Sequence, residues 1–75
     1  MQIDKELDAR GLNCPVPLMK AKKALGEMQS GQVLRVVATD SGSMRDFAAY
    51  ARTAGHEMIE QRNVGREYIH VLRRA

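Results

Sequence analysis

Val33-Leu34-Arg35-Val36-Val37-Ala38-Thr39 is the stretch on which the fold turns. It is a β-branched run of strand length, with Leu34, Val36 and Ala38 on one face and Val33, Arg35 and Val37 on the other, and it predicts a strand. Ser30-Gly31 lies just before it. Upstream of that stop, Leu18, Ala21, Leu25 and Met28 recur at the three-and-four spacing of a helix with one buried stripe, while Lys20, Lys23 and Glu27 point away. Further upstream, Leu7 and Ala9 alternate with Glu6, Asp8 and Arg10, which reads as a short strand ending at Gly11, and Gly11-Leu12-Asn13 reads as a loop.

Downstream of the central run, Asp40-Ser41-Gly42-Ser43 is a turn cluster. Ser43, with Asp46 three residues on, resembles a capping box, although the usual third-position residue is Glu or Gln. A second helix follows, with Met44, Phe47, Ala48, Ala51 and Ala54 as its apolar face and Gly55 as a left-handed C-terminal stop. His56 to Arg62 and Tyr68 to Arg73 are extended segments separated by Asn63-Val64-Gly65-Arg66, a loop of hairpin length. The first of these segments alternates poorly at Met58 and Ile59. The order is βαβαββ, which predicts an α+β, two-layer α/β sandwich with two helices packed on one face of a four-stranded mixed sheet. The first two strands are expected to be parallel through a right-handed crossover, and the last two to form an antiparallel hairpin.

The composition sets the bounds. With 75 residues, 44% hydrophobic and 28% charged, the chain is expected to be a single domain spanning residues 1–75. A chain this short buries only ~60% of its unfolded surface, so its core must be built from regular elements. The longest apolar runs fall far short of the ~20 residues of a membrane span. Met1-Gln2-Ile3-Asp4-Lys5-Glu6 carries charge where a secretory signal is apolar, so the cytoplasm is the expected compartment. A lone cysteine makes no internal disulfide, and with two histidines it supplies too few soft ligands for a structural zinc site; no metal and no cofactor are expected. The net charge of +3 is spread among acids rather than massed in one run. Phe47, Tyr50 and Tyr68 are the only aromatics, and there is no Gly-rich phosphate loop, so direct nucleic-acid binding is not expected.

Cys14-Pro15-Val16-Pro17 is the one place where a reactive side chain meets a special backbone. Proline favours the first helical position and pushes the preceding residue into extended conformations, so Cys14 fits as the helix N-cap. Val16 also precedes a proline, which leaves Pro17 as an alternative start. In either case the prolines remove two N–H groups that the first turn would leave unpaired, and they stiffen the backbone that holds the sulfur. The positive helix end and the Val16 N–H then predict a lowered thiol pKa. A buried, inert thiol is the alternative, and the loop position argues against it. Neither His56 nor His70 suits a catalytic base for a hydrolytic cysteine enzyme. A thiolate without a base suits sulfur-on-sulfur exchange, as in a carrier rather than a free-standing catalyst. On the first helix, Val16 and Met19 lie off the buried stripe beside Lys20 and Lys23, a candidate docking patch for a partner protein.

The string Leu7-Asp8-Ala9-Arg10-Gly11-Leu12-Asn13-Cys14-Pro15-Val16-Pro17 resembles the signature of the TusA/SirA family of small sulfur-carrier proteins. The resemblance continues through Met28-Gln29-Ser30-Gly31, the Val33-to-Asp40 strand and Arg45-Asp46, covering essentially the whole chain. It implies the βαβαββ sandwich and a Cys14 that accepts sulfane sulfur as a persulfide and relays it to an acceptor protein. Pro15 and Pro17 would shape the loop around Val16, Gly11 would turn the chain into it, and Asp8 would support it. The family also implies a donor, either a cysteine desulfurase or a rhodanese-like protein, and delivery toward tRNA thiolation, molybdenum-cofactor assembly or sulfur oxidation. Asp40-Ser41 stands where the family often has Asp-Pro, and no proline follows Asp46, so the route stays open. Two other readings are a non-catalytic regulatory or interaction module that uses the loop only for docking, and RNA binding through the basic helix face.

Overall fold

A computed structural model describes residues 1–75. The elements are β1 (Lys5–Ala9), α1 (Val16–Gly26), β2 (Val33–Ala38), α2 (Ser43–Ala54), β3 (Glu57–Val64) and β4 (Glu67–Arg73). The strands form one mixed sheet in the order β1-β2-β4-β3, with β1 parallel to β2 and the other neighbours antiparallel. This is the expected two-layer βαβαββ sandwich. No helix is long and apolar enough to cross a membrane.

The core lies between the helices and one face of the sheet. Leu34, Val36 and Ala38 of β2 pack there with Ala9, Leu72, and Ala21, Ala24 and Leu25 of α1. Alternation along β2 sends Val33 and Val37 to the opposite face, where Val33, Ile69 and Val71 form a second, smaller cluster flanked by Ile3, Val37 and Ile59. No helix covers that side. Ion pairs of β-strand residues span it, Arg35 with Glu6 at 2.7 Å, Arg62 with Glu60 at 2.6 Å and Arg73 with Glu57 at 2.7 Å. Long charged side chains of this kind lay their apolar stems over neighbouring methyl groups while keeping their heads in water.

Several expectations change in detail. The α1 stripe gains Ala24 and Pro17, whereas Leu18 is only half-buried. The β3–β4 turn is tighter than the four-residue loop expected: Val64 pairs with Glu67, and Gly65-Arg66 alone make the turn. The Asn63 side-chain amide donates to the carbonyls of Gly65 and Glu67 at 3.0 and 2.9 Å, which closes it. The faulty alternation at Met58 and Ile59 is a β-bulge. Met58 pairs with Leu72 and Glu60 with Val71, leaving Ile59 as the extra residue. Met58 thereby reaches the main core while Ile59 joins the cluster on the other face.

In α2, Phe47 and Ala51 are buried and Gly55 ends the helix at φ 79°, the left-handed stop that a side chain would disfavour. Ala54, expected on the apolar face, is exposed, because the last turn runs past the edge of the core. The capping box is absent: Gly42 is the N-cap, and no side chain caps the helix. Ser43 is instead the first helical residue, and its hydroxyl is buried against His70. Phe47 is fully buried and stacks on His70, with centroids 4.2 Å apart and planes within 9°. Phe47→Ala should therefore cost about 3–5 kcal/mol, read as a lower urea midpoint with a retained fold.

Candidate functional site

Cys14 sits on the loop between β1 and α1 and is exposed and unbridged. The loop is shaped from both ends. Gly11 adopts φ 80°, a region open to glycine without steric cost, and its N–H donates to Thr39 Oγ1 at 2.9 Å. This ties the loop to the end of β2. At the other end, the Cys14–Pro15 peptide is cis, Pro15 is the α1 N-cap, and Pro17 in the first turn is buried in the core.

The expected N-cap role of Cys14 is therefore corrected by one position, with Pro15 taking it and Val16 starting the helix. The expected thiolate donor is also spoken for, since the Val16 N–H donates to the Asn13 carbonyl at 2.9 Å. The sulfur turns elsewhere. Cys14 Sγ donates to Asp46 Oδ2 at 2.8 Å, a contact 32 residues apart in the chain. That bond, the partial loss of water around the sulfur and the negative charges of Asp46 and Asp40 push the thiol above its ordinary pKa, with Arg45 the opposing influence. The lowered pKa expected from the helix end is thus reversed, because a facing carboxylate outweighs the partial charge of a helix terminus.

Asp46 is the residue at the thiol that sequence reasoning missed. Its place three residues after Ser43 reads as capping, and nothing local indicates that it faces a loop 32 residues away. The surrounding β2–α2 loop fits closely. A methyl group added at Gly42 would stand 3.0 Å from Asp40 Oδ2 and 3.9 Å from Cys14 Cβ. Asp40 Oδ2 is itself buried without a hydrogen-bond partner.

The start of α2, on which Asp46 lies, is held by a network reaching down to the sheet. Fully buried His70 on β4 contacts Ser43 Oγ through Nε2 at 3.0 Å and Gln61 Nε2 through Nδ1 at 3.2 Å. The Gln61 amide nitrogen only donates, so Nδ1 accepts and Nε2–H donates to Ser43. The same amide donates to the Met44 carbonyl at 2.6 Å. His56, the other histidine, accepts the Ala75 N–H at Nδ1 at 2.9 Å and meets the Tyr50 hydroxyl at 3.3 Å. Both histidines are thus engaged in hydrogen bonds within the fold.

The hydrogen bonds of Asp8 go to Arg10 and none goes to the sulfur. Asp8 binds Arg10 through its backbone N–H at 3.1 Å and its guanidinium at 2.9 and 3.0 Å, which holds the carboxyl down at about 2. It thereby clamps the residue that enters the Gly11 turn. Val16 and Met19 are 38% and 60% exposed, so apolar surface does lie within a turn of Cys14, and Lys20 and Lys23 are exposed beside it.

A small two-layer sandwich that presents one free thiol between a proline-framed loop and an acidic helix start defines a class of small thiol-bearing domains. The description "sulfurtransferase TusA" matches residues 5–74, and the chain belongs to that family. A sulfur carrier protein TusA of Allochromatium vinosum is 49% identical over 72 residues, covering 96% of this chain and 95% of the relative. A second sulfur carrier protein TusA, from Pseudomonas entomophila, is 39% identical over 71 residues, covering 95% and 89%. The crystal structure of a SirA-like protein from Desulfitobacterium hafniense superposes with a TM-score of 0.82 at 27% identity, covering 92% of this chain and 95% of that one.

Burial holds His70 neutral by lowering its pKa from 6.5 to about 4. The unfolded chain binds the proton more readily, so stability is fully present above pH 6.5 and is lost as pH falls toward 4. A ring-proton NMR titration should give a His70 midpoint near 4, and the urea midpoint should drop across the same window.

Proposed function

We propose that this chain is a sulfur carrier that holds sulfane sulfur as a persulfide on Cys14. The observation that carries the reading is a single free, exposed thiol on the Cys14-Pro15-Val16-Pro17 loop of a chain matched over residues 5–74 to the sulfurtransferase family. The Cys14 sulfur attacks the outer sulfur of a donor persulfide. The bond between that sulfur and the donor's cysteine breaks, its electron pair leaves with the donor thiolate, and the proton lost from Cys14 ends there. No oxidant is needed, since one S–S bond replaces another. Delivery is the same exchange with an acceptor thiolate.

Gly11, Pro15, Val16 and Pro17 set the position of the sulfur, and Asp8 supports the loop through Arg10. Met19, with Lys20 and Lys23, forms the surface on which donor and acceptor proteins dock. The donor is a cysteine desulfurase or rhodanese-like protein, encountered in the cytoplasm, and the acceptor belongs to a thiolation, cofactor-assembly or sulfur-oxidation route. The exposed Met19 supports this docking role, because an adaptable apolar side chain ringed by cations suits contact with more than one partner.

Intact-protein mass spectrometry tests the chemistry. After incubation with a desulfurase and cysteine, or a rhodanese and thiosulfate, the wild type should gain one reductant-sensitive sulfur atom, and Cys14→Ser should stay folded and gain none. A loaded serine variant, or an unloaded wild type with donors that load a control acceptor, would sink the reading. Met19→Asp should slow loading without changing the rate of Cys14 alkylation; equal loading rates would remove Met19 from the docking surface.

A further inference from the structure

We propose that Asp46 controls the carrier chemistry by holding Cys14 as a thiol until docking parts the two groups. The proposal rests on the reading of Cys14 as the sulfur-bearing residue and adds the regulation of that site.

The geometry carries it. The 2.8 Å contact from Cys14 Sγ to Asp46 Oδ2 is a hydrogen bond only while the sulfur keeps its proton. Once the proton leaves, the same two atoms become facing anions. The charged groups acting on the sulfur are Asp46 and Arg45 from α2 and Asp40 from the β2–α2 loop, so two carboxylates oppose a thiolate and one guanidinium favours it. Nor is Asp46 free to swing aside with its helix. The first residue of α2 is bonded to buried His70, and the second offers its carbonyl to Gln61. Phe47, the next residue after Asp46, is locked into the core by its stack on the same histidine.

The thiolate is the attacking species in sulfur exchange, so a sulfur kept protonated is a slow nucleophile toward small disulfides and oxidants. The resting carrier is thereby spared unproductive reactions. Cys14 is exposed, so a docked protein that draws Asp46 into a bond of its own releases the sulfur. Reactivity then depends on contact with a partner rather than on the free carrier.

The test compares wild type, Asp46→Asn and Asp46→Ala by the rate of alkylation with iodoacetamide across pH 6 to 9, and by loading from a desulfurase with cysteine. Removing the carboxylate should lower the thiol pKa. Each unit of lowering raises the thiolate about tenfold and, after the loss of nucleophilicity, the neutral-pH rate about threefold. Both variants should alkylate faster than wild type at neutral pH, by about threefold for each unit by which the thiol pKa falls, and both should load faster. An alkylation rate no higher than wild type in both variants would overturn the proposal. Faster alkylation with slower loading would also overturn it, because Asp46 would then be assisting transfer. Faster alkylation with a wild type that never loads would instead strike the carrier reading, and Cys14→Ser fixes the background for both assays.

Discussion

The contact on which the rest of the structure depends is the seating of α2 on His70. A neutral imidazole buried in the sheet costs its solvation unless both ring nitrogens find partners, and here they find Gln61 on β3 and Ser43 on α2. Its flat face is taken by Phe47. Three features of the fold, the tight β3–β4 pairing, the start of α2 and the deepest part of the core, therefore meet in one side chain. Because Asp46 lies one residue before Phe47, the same contact aims the carboxylate at the loop that bears Cys14.

Much of the architecture was legible in the sequence because hydrophobic period is a local signal. The β-branched run at Val33 to Ala38, the stripe of α1 and the glycine that ends α2 each depend on residues close in the chain. Ile59 disturbed the expected alternation because an extra residue had been inserted, and the sequence showed the disturbance without its cause. The hairpin is shorter than residue types alone imply, because Asn63 stays paired in β3 and closes the turn with its side chain.

The site was legible only in part. The Cys14 loop announced itself through two prolines and a glycine. Its electrostatics did not, because they come from a residue 32 positions away whose spacing fits an equally ordinary local role. Ser43 and Asp46 formed a plausible capping pair, yet each side chain is used in a long-range contact: one reaches the sheet and the other the sulfur. Local rules favour the cap when nothing else competes. Here a buried histidine and a nearby thiol compete and win.

The bulge at Ile59 bears on how an outer strand of the sheet is protected. β3 is an outer strand, and a long flat outer strand offers free backbone groups on which another chain can build a sheet. The inserted residue breaks the regular spacing of those groups and twists the strand locally. Beyond it, Glu60 and Arg62 place opposite charges along the rim. The outer strand is thus a poor template for a further strand, and the exposed thiol at the loop end of the sandwich is left as the chain's chemically distinctive surface.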